Sequence, residues 1–112
     1  MAYGNPEVSA VLEYLTERLD GIPMDGGGMN RKYAYLLINW ARREYPDWDP
    51  VGIARRLINI AMADRFHQMR ATSVGYIWRN KGQLIILGRQ QTGQQPAQQQ
   101  GGGYPIVYKT ED

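Results

Sequence analysis

Residues 49–62, with the sequence DPVGIARRLINIAM, decide the fold class of this chain. Asp49 followed by Pro50 is a typical helix start, because an Asp side chain caps free backbone N–H groups and proline at the first helical position loses no hydrogen bond. At about 100° per residue, apolar side chains cover more than half of the helix circumference, which predicts a buried, central helix. The apolar arc holds Ile53, Leu57, Ile58, Ile60, Ala61 and Met62, and the remaining arc holds Arg55, Arg56 and Asn59.

The first segment of the chain carries an equally clear helix signal. Asn5 is a good N-cap, Pro6 suits the first helical position, and Gly21 with Pro23 forms a stop. One apolar stripe follows at helical spacing, and it must dock on another element. The stripe consists of Val8, Val11, Leu12, Leu15 and Leu19. The three glycines of the following loop, residues 26–28, predict a flexible hinge.

Two further helices are predicted, one before and one after the central helix. Residues 64–70, which follow the central helix, form a polar connection or a further helical turn. One runs from an N-cap at Asn30 to about Tyr45, before Pro46, and the other is capped by Thr72 or Ser73. Residues 84–87 are an unbroken apolar run. They are therefore open to a second interpretation, a short strand that pairs with residues 105–108.

The last part of the chain differs sharply in composition. Residues 90–103 are rich in glutamine and glycine and offer little apolar surface to offset the entropy of ordering, so we predict a disordered linker. Residues 104–112 form an apolar and aromatic patch with an acidic end, typical of a short binding motif; the alternative is a strip folded back on the same domain. The predicted partner-binding residues are Tyr104, Ile106, Val107 and Tyr108.

The predicted fold is all-α: a compact bundle of about four helices over residues 1–89, followed by a disordered Gln/Gly-rich tail. A length of 112 residues and an apolar content of 43% fit one domain with one core. The absence of cysteine excludes disulfides and thiolate sites and agrees with a reducing compartment. We see neither a signal segment nor a membrane-spanning apolar run, and we expect a cytoplasmic protein.

Charge is segregated along the chain, although the net charge is only +2. Residues 29–89 hold eleven Lys and Arg against four Asp and Glu, whereas residues 1–28 hold one basic residue against five acidic ones. Such a molecule is dipolar. The pattern predicts a basic surface that attracts polyanions, and an acidic first segment that packs on this surface, shields it or contacts another partner.

Residues suited to catalysis or metal binding are scarce. His67 is the single histidine, no spacing surrounds it with further ligands, and we interpret it as a structural or surface residue near a helix junction. The carboxylate pairs Glu13/Glu17 and Asp47/Asp49 fit a solvated helix face and a helix cap. The glycines at 26–28 lack P-loop spacing. We therefore expect no enzymatic activity, no cofactor and no metal.

The basic residues are the remaining functional signal. Lys and Arg contact phosphates, and interleaved aromatic residues stack on bases when they are exposed. The basic set consists of Arg31, Lys32, Arg42, Arg43, Arg55, Arg56, Arg65, Arg70, Arg79, Lys81 and Arg89, and the stacking candidates are Tyr33, Tyr35, Tyr76 and Trp78. The alternative is that the arginines solvate a small domain and that aromatic residues such as Trp40 and Trp78 belong to the core. The predicted nucleic-acid-binding residues are Arg42, Arg43, Arg55, Arg56, Arg70, Tyr76, Arg79 and Lys81.

Two stretches, YLLINWARREYPDWDPVGIARRLINIAMAD (35–64) and FHQMRATSVGYIWRN (66–80), resemble helical domains of phage and plasmid replication proteins. DnaD-like modules and small phage helicase loaders are the families in question. The likeness rests on helix order and on Tyr76, Trp78 and Asn80 in a basic final helix, and the Tyr and Trp spacing departs from the DnaD-like signature. The resemblance implies DNA binding or helicase contact during replication.

Three functions follow as hypotheses. The first is a non-enzymatic, mainly sequence-independent nucleic-acid-binding accessory protein, as in phage or plasmid DNA replication, whose tail recruits a protein. The second is a protein-interaction adaptor or phage factor that docks on a host or structural protein through its basic face and C-terminal peptide. The third is self-assembly, in which the first helix docks on a neighbouring chain and the loop at 26–28 allows a swap.

Overall fold

A computed structural model describes residues 5–92, which form five helices and contain no strand. Four helices are long and one is a single turn, so the predicted all-α bundle of about four helices is confirmed. The predicted tail, including Tyr104, Ile106, Val107 and Tyr108, lies outside the described residues. The helices are α1 (Pro6–Leu19), α2 (Met29–Glu44), α3 (Pro50–Met62), α4 (Arg65–Gln68) and α5 (Val74–Thr92).

α3 is the central helix, as its sequence predicted. It packs against all four other helices, and the Asp49 side chain caps it by accepting a hydrogen bond from the Gly52 N–H at 3.1 Å. Two residues outside its apolar arc are buried as well. Arg56 and Asn59 are 8% and 5% exposed, because neighbouring helices also cover this side of α3, whereas Arg55 is exposed.

α1 begins and ends where the sequence signals predicted. Asn5 Oδ1 accepts a hydrogen bond from the Val8 N–H at 2.8 Å, and the helix stops at Asp20 and Gly21, which both have positive φ. Four members of its apolar stripe are buried where α1 packs on α2 and α3 of the same chain. Docking on a neighbouring chain is therefore not needed to bury this face.

Asn30 does not cap α2, which begins one residue earlier at Met29. The Asn30 side chain is buried and accepts a hydrogen bond from the Val74 N–H at 2.8 Å, so it caps the start of α5. Its amide also donates to the carbonyl groups of Asp25 and Gly27. Asn30, which the local sequence predicted as the cap of α2, thus caps α5, whose first residue lies 44 positions further along the chain.

Residues 63–73 connect α3 to α5 through a capped turn. Asp64 accepts a hydrogen bond from the His67 N–H and begins the one-turn helix α4. Ser73, one of the two residues predicted to cap the next helix, accepts from the Tyr76 N–H at 3.2 Å. The predicted turn within residues 64–70 is thus present.

α5 is longer than predicted. Residues 84–87 are helical: Leu84 is fully buried while Ile86 is 56% exposed, which is helical rather than strand periodicity, and the strand interpretation is wrong. α5 extends to Thr92, past the predicted start of the linker at residue 90. The Gln91 amide there donates to the Ile60 carbonyl of α3, which holds the last turn on the bundle. Within the described part of the chain, no helix has the length and apolarity to cross a membrane.

Candidate nucleic-acid interface

α2 and α5 lie side by side and run in the same direction. Near their N-terminal ends, the Tyr33 ring packs close to Gly75, and the Arg79 guanidinium lies 5.8 Å from its centroid. Further along, Lys81 of α5 reaches Trp40 of α2. The contact between these two helices is therefore lined by aromatic rings with basic side chains set against them.

Lys81 is held between two tryptophans. Its ammonium lies 3.7 Å from the Trp78 ring centroid and 5.5 Å from that of Trp40, and it donates to the Trp78 carbonyl at 3.1 Å. Burial lowers the pKa of Lys81 below its ordinary value of 10.5. The cation is thus oriented by ring faces and a carbonyl, with part of its hydration already removed.

Further basic residues extend this seam along both helices. Lys32 and Arg43 are exposed and lie at helical spacing from Trp40, eight residues before and three after it, and so share one side of α2. At the far end, burial and the Glu44 carboxylate raise the pKa of Tyr45, and the nearby charge of Arg89 opposes that rise. We call this surface the α2–α5 basic face. It consists of Lys32, Arg43, Arg79, Lys81 and Arg89.

Two predicted phosphate contacts lie on the opposite side of α2, next to α1. Arg42 forms a salt bridge with Glu7 at 2.6 Å, and the Arg55 guanidinium lies 5.2 Å from the Tyr14 ring centroid. α1 also carries the exposed acids Glu13 and Glu17. The acidic first segment therefore packs on part of the basic set, which is one of the arrangements that the charge pattern predicted.

The remaining predicted residues are elsewhere. Arg70 lies beside α4 with its guanidinium 3.9 Å from the Phe66 centroid. Arg56 was predicted as a surface phosphate contact and is instead buried on α3, at 8% exposure. Arg79 and Lys81 thus each lie against an aromatic ring of α2, and Arg43 follows Trp40 by one turn, whereas Arg42 and Arg55 contact α1, Arg56 is buried and Arg70 lies beside α4.

Tyr76 is partly buried and engaged within the protein. Its hydroxyl lies 2.6 Å from His67 Nδ1, and the two rings meet edge to face. His67 is 7% exposed, so the structural interpretation of the histidine fits its burial and its hydrogen bond. The Tyr76 ring thus helps to hold α4 on α5 and is less available to stack on a base than the sequence prediction required.

The sequence pattern placed Lys32 and Arg89 among the basic residues and Tyr33 and Trp78 among the stacking candidates, but the predicted site did not include them or Trp40. Both tryptophans are partly buried and pack against the core, as the core interpretation predicted. One signal could have revealed their second role. Lys32, Leu36, Trp40 and Arg43 recur at helical spacing, and such a stripe of alternating basic and apolar residues indicates a partly exposed edge rather than a core face.

The described residues also contain a shallow concavity of about 560 Å³ beside α1, lined in part by Glu13, Glu17 and Arg55. Between residues 5 and 92, no group of three or more His, Cys, Asp or Glu side chains could hold a metal ion. The arrangement that the structure does offer is a basic, aromatic-backed face. No family model, curated protein or solved structure matches this chain, so its resemblance to replication modules stays a prediction.

Proposed function

We propose that this protein is a non-enzymatic nucleic-acid-binding accessory factor of DNA replication, acting in the cytoplasm and contacting phosphates through the α2–α5 basic face. The single observation that carries the proposal is that two basic side chains of α5, Arg79 and Lys81, lie against aromatic rings of α2, a helix that also exposes Lys32 and Arg43. The replication context rests on the resemblance alone.

The physical support is pre-organisation. A free Lys or Arg side chain loses up to about 2 kcal/mol of rotamer entropy when a phosphate immobilises it. Lys81 and Arg79 are already oriented by the rings of Trp78 and Tyr33. Part of that cost is thus met on folding, which favours binding of a polyanion at this face over the side that α1 covers.

The test is fluorescence anisotropy of labelled oligonucleotides titrated with the full chain at several salt concentrations. Five phosphate contacts predict that log K falls with log salt at a slope of about 4.5 for duplex DNA. A variant with Arg43→Glu and Arg79→Glu should bind at least about tenfold more weakly at low salt, because each reversal replaces a phosphate contact with repulsion.

A matched control reverses two exposed arginines on the α1 side, Arg18→Glu and Arg55→Glu. It changes net charge by the same amount and should weaken binding far less. Equal losses in the two variants would mean that overall charge, not this face, drives association. A salt slope near zero for the parent would contradict nucleic-acid binding itself.

An adaptor that docks on another protein is the second candidate function. The observation that favours it is the set of exposed large apolar side chains, including Phe66 at 57% and Met69 at 75%. The two functions separate in one comparison. Replacing the apolar residues Ile106 and Val107 by serine should leave oligonucleotide affinity unchanged for the nucleic-acid binder, whereas an adaptor should lose its protein partner.

A further inference from the structure

Large apolar side chains are exposed at one end of the bundle. Five such residues are exposed in the described part of the chain, and four of them, Ile22, Met29, Phe66 and Met69, flank the connections that precede α2 and α5. We call these four residues the apolar end. A group of large apolar side chains exposed in neighbouring segments of a small protein favours an interaction site.

Hydrogen bonds hold the two connections of this end together. The Asp25 N–H donates to the Thr72 carbonyl at 2.8 Å, and the Thr72 hydroxyl donates to the Asp25 carboxylate at 2.6 Å. Asn30 adds its bond to the Val74 N–H. The segments that carry Ile22 and Met29 are thereby fixed beside the segment that carries Met69.

Basic groups border the apolar end on the α4 side. The Arg70 guanidinium lies over the Phe66 ring and donates to the Phe66 carbonyl at 2.8 Å, so ring and cation present one continuous surface. Arg65 is exposed next to it. Three acids lie in the same two connections, since Asp64 caps α4, Asp25 accepts from Thr72 and Asp20 is exposed at the end of α1, so the basic border is confined to Arg65 and Arg70 on the α4 side. An occupant with apolar side chains followed by carboxylates fits this arrangement.

The chain itself contains such a segment outside the described residues. Residues 104–112 read YPIVYKTED, with four large apolar or aromatic side chains in the first five positions and Glu111 and Asp112 at positions eight and nine. The order, apolar first and acidic second, matches a surface of methionines and Phe66 bordered by Arg65 and Arg70. Methionine side chains adapt to varied partners, which suits an extended peptide.

The chain between Thr92 and residue 104 is long enough for segment 104–112 to reach the apolar end. The apolar end lies at the N-terminus of α5, and the 19 residues of that helix place Thr92 about 28 Å away at about 1.5 Å per residue. Residues 93–103 can span up to about 36–40 Å when extended. A tether of this length gives an effective concentration on the order of 1 mM, which is enough to populate a weak contact.

We propose that the apolar end is the binding site of this chain's own segment 104–112. The apolar side chains of the segment would lie against Phe66, Met69 and Met29, and its carboxylates toward Arg65 and Arg70. A protein partner that takes up the segment would then uncover the apolar end. The inference rests on observations separate from the α2–α5 basic face and does not depend on nucleic-acid binding.

The experiment uses the full chain labelled with ¹³C-methyl methionine. Replacing Ile106→Ser and Val107→Ser should shift the methyl resonances of Met69 and Met29 by more than a linewidth, because their apolar cover is removed. Ile86→Ser is the matched control, since Ile86 is 56% exposed on the outer side of α5; it should leave both resonances in place. Identical Met69 and Met29 signals in the parent and the tail variant would overturn the proposal.

The reciprocal test changes the apolar end instead of the segment. Met69→Gln, at a site exposed enough to keep the fold, should speed tryptic cleavage after Lys109 about threefold, the change expected if a segment docked about two thirds of the time is released. Ile86→Gln should not change that rate. An unchanged rate in Met69→Gln, or protection that disappears on dilution and so comes from a second chain, would contradict docking within one molecule.

Discussion

At the scale of single residues, Asn30 shows how one buried amide joins three segments. Its oxygen accepts from the Val74 N–H, and its nitrogen donates to the carbonyl groups of Asp25 and Gly27. At 5% exposure, water has little access to replace these bonds. The side chain therefore couples the loop before α2 to the start of α5.

Replacing Asn30 with alanine should lower the free energy of unfolding by about 1–3 kcal/mol, because it leaves buried donors and acceptors unsatisfied. Urea denaturation of the variant and the parent measures this change. Asn39→Ala, a half-buried position on the same helix, is the control and should cost well under half as much. Similar losses in both variants would show that helix context, not the cap, accounts for the effect.

Lys81 should titrate below its ordinary pKa of 10.5, because its ammonium is partly buried between Trp78 and Trp40. Because the pKa of Lys81 is lower in the folded than in the unfolded protein, unfolding takes up a proton in the pH window just below 10.5. The stability that Lys81 contributes is therefore fully present above pH 10.5 and is lost as the pH falls through the folded pKa.

The free energies of unfolding of the parent and of Lys81→Met, measured from about pH 8 to pH 10.5, test this sign. The parent should gain stability relative to the variant as the pH rises. Tyr45, whose raised pKa acts in the opposite direction, is present in both proteins and largely cancels in the difference. A parent that loses stability relative to Lys81→Met as the pH rises would contradict the burial of the ammonium.

At the scale of helices, the α2·α5 contact depends on the absence of a side chain at Gly75. A Cβ atom there would lie 3.1 Å from Tyr33 Cδ2 and 3.0 Å from Arg79 Nη1, closer than ordinary contact. At Gly82, in the same helix, a Cβ atom would meet nothing within 4 Å. Two glycines that look equally unfavourable for a helix thus have different roles.

The pair Gly75→Ala and Gly82→Ala measures this difference. Gly82→Ala should stabilise the protein by up to about 1 kcal/mol through helix propensity. Gly75→Ala gains the same propensity but pushes the Tyr33 ring away, and overpacking costs about 1–3 kcal/mol, so its melting temperature should fall at or below that of the parent. Equal stabilisation by both substitutions would mean that α5 can move away from α2 without cost.

At the scale of the whole molecule, opposite charges occupy opposite sides. α1 and α5 pack on different sides of α2, with Glu7 bonded to Arg42 on one side and Lys81 against Trp40 on the other. The molecule measures 39 × 30 × 23 Å. The Debye length is about 8 Å at 0.15 M salt and about 30 Å at 0.01 M, so the acids of α1 act on a ligand at the basic face only at low salt.

Neutralising two exposed acids of α1, with Glu13→Gln and Glu17→Gln, should therefore raise oligonucleotide affinity about threefold at 0.01 M salt and leave it unchanged at 0.15 M. Anisotropy titrations at the two salt concentrations measure both values. Glu44→Gln is the comparison, because Glu44 is exposed beside Tyr45 near Arg89 and should act at both concentrations. An increase at 0.15 M from the α1 variant would place the ligand near α1 instead.

The sequence by itself determined the helices, their caps at Asn5 and Asp49, and the central place of α3, because capping and apolar periodicity are local properties written within one or two turns. Only the tertiary structure decided that Asn30 caps α5 rather than α2, that Arg56 is buried, and that Arg79 and Lys81 lie against rings of α2 while Arg42 pairs with Glu7 of α1. The physical reason is the same in each case. Which neighbour covers a polar side chain depends on contacts between residues distant in sequence, such as the 44 positions between Asn30 and Val74, and periodicity within one helix does not carry that information.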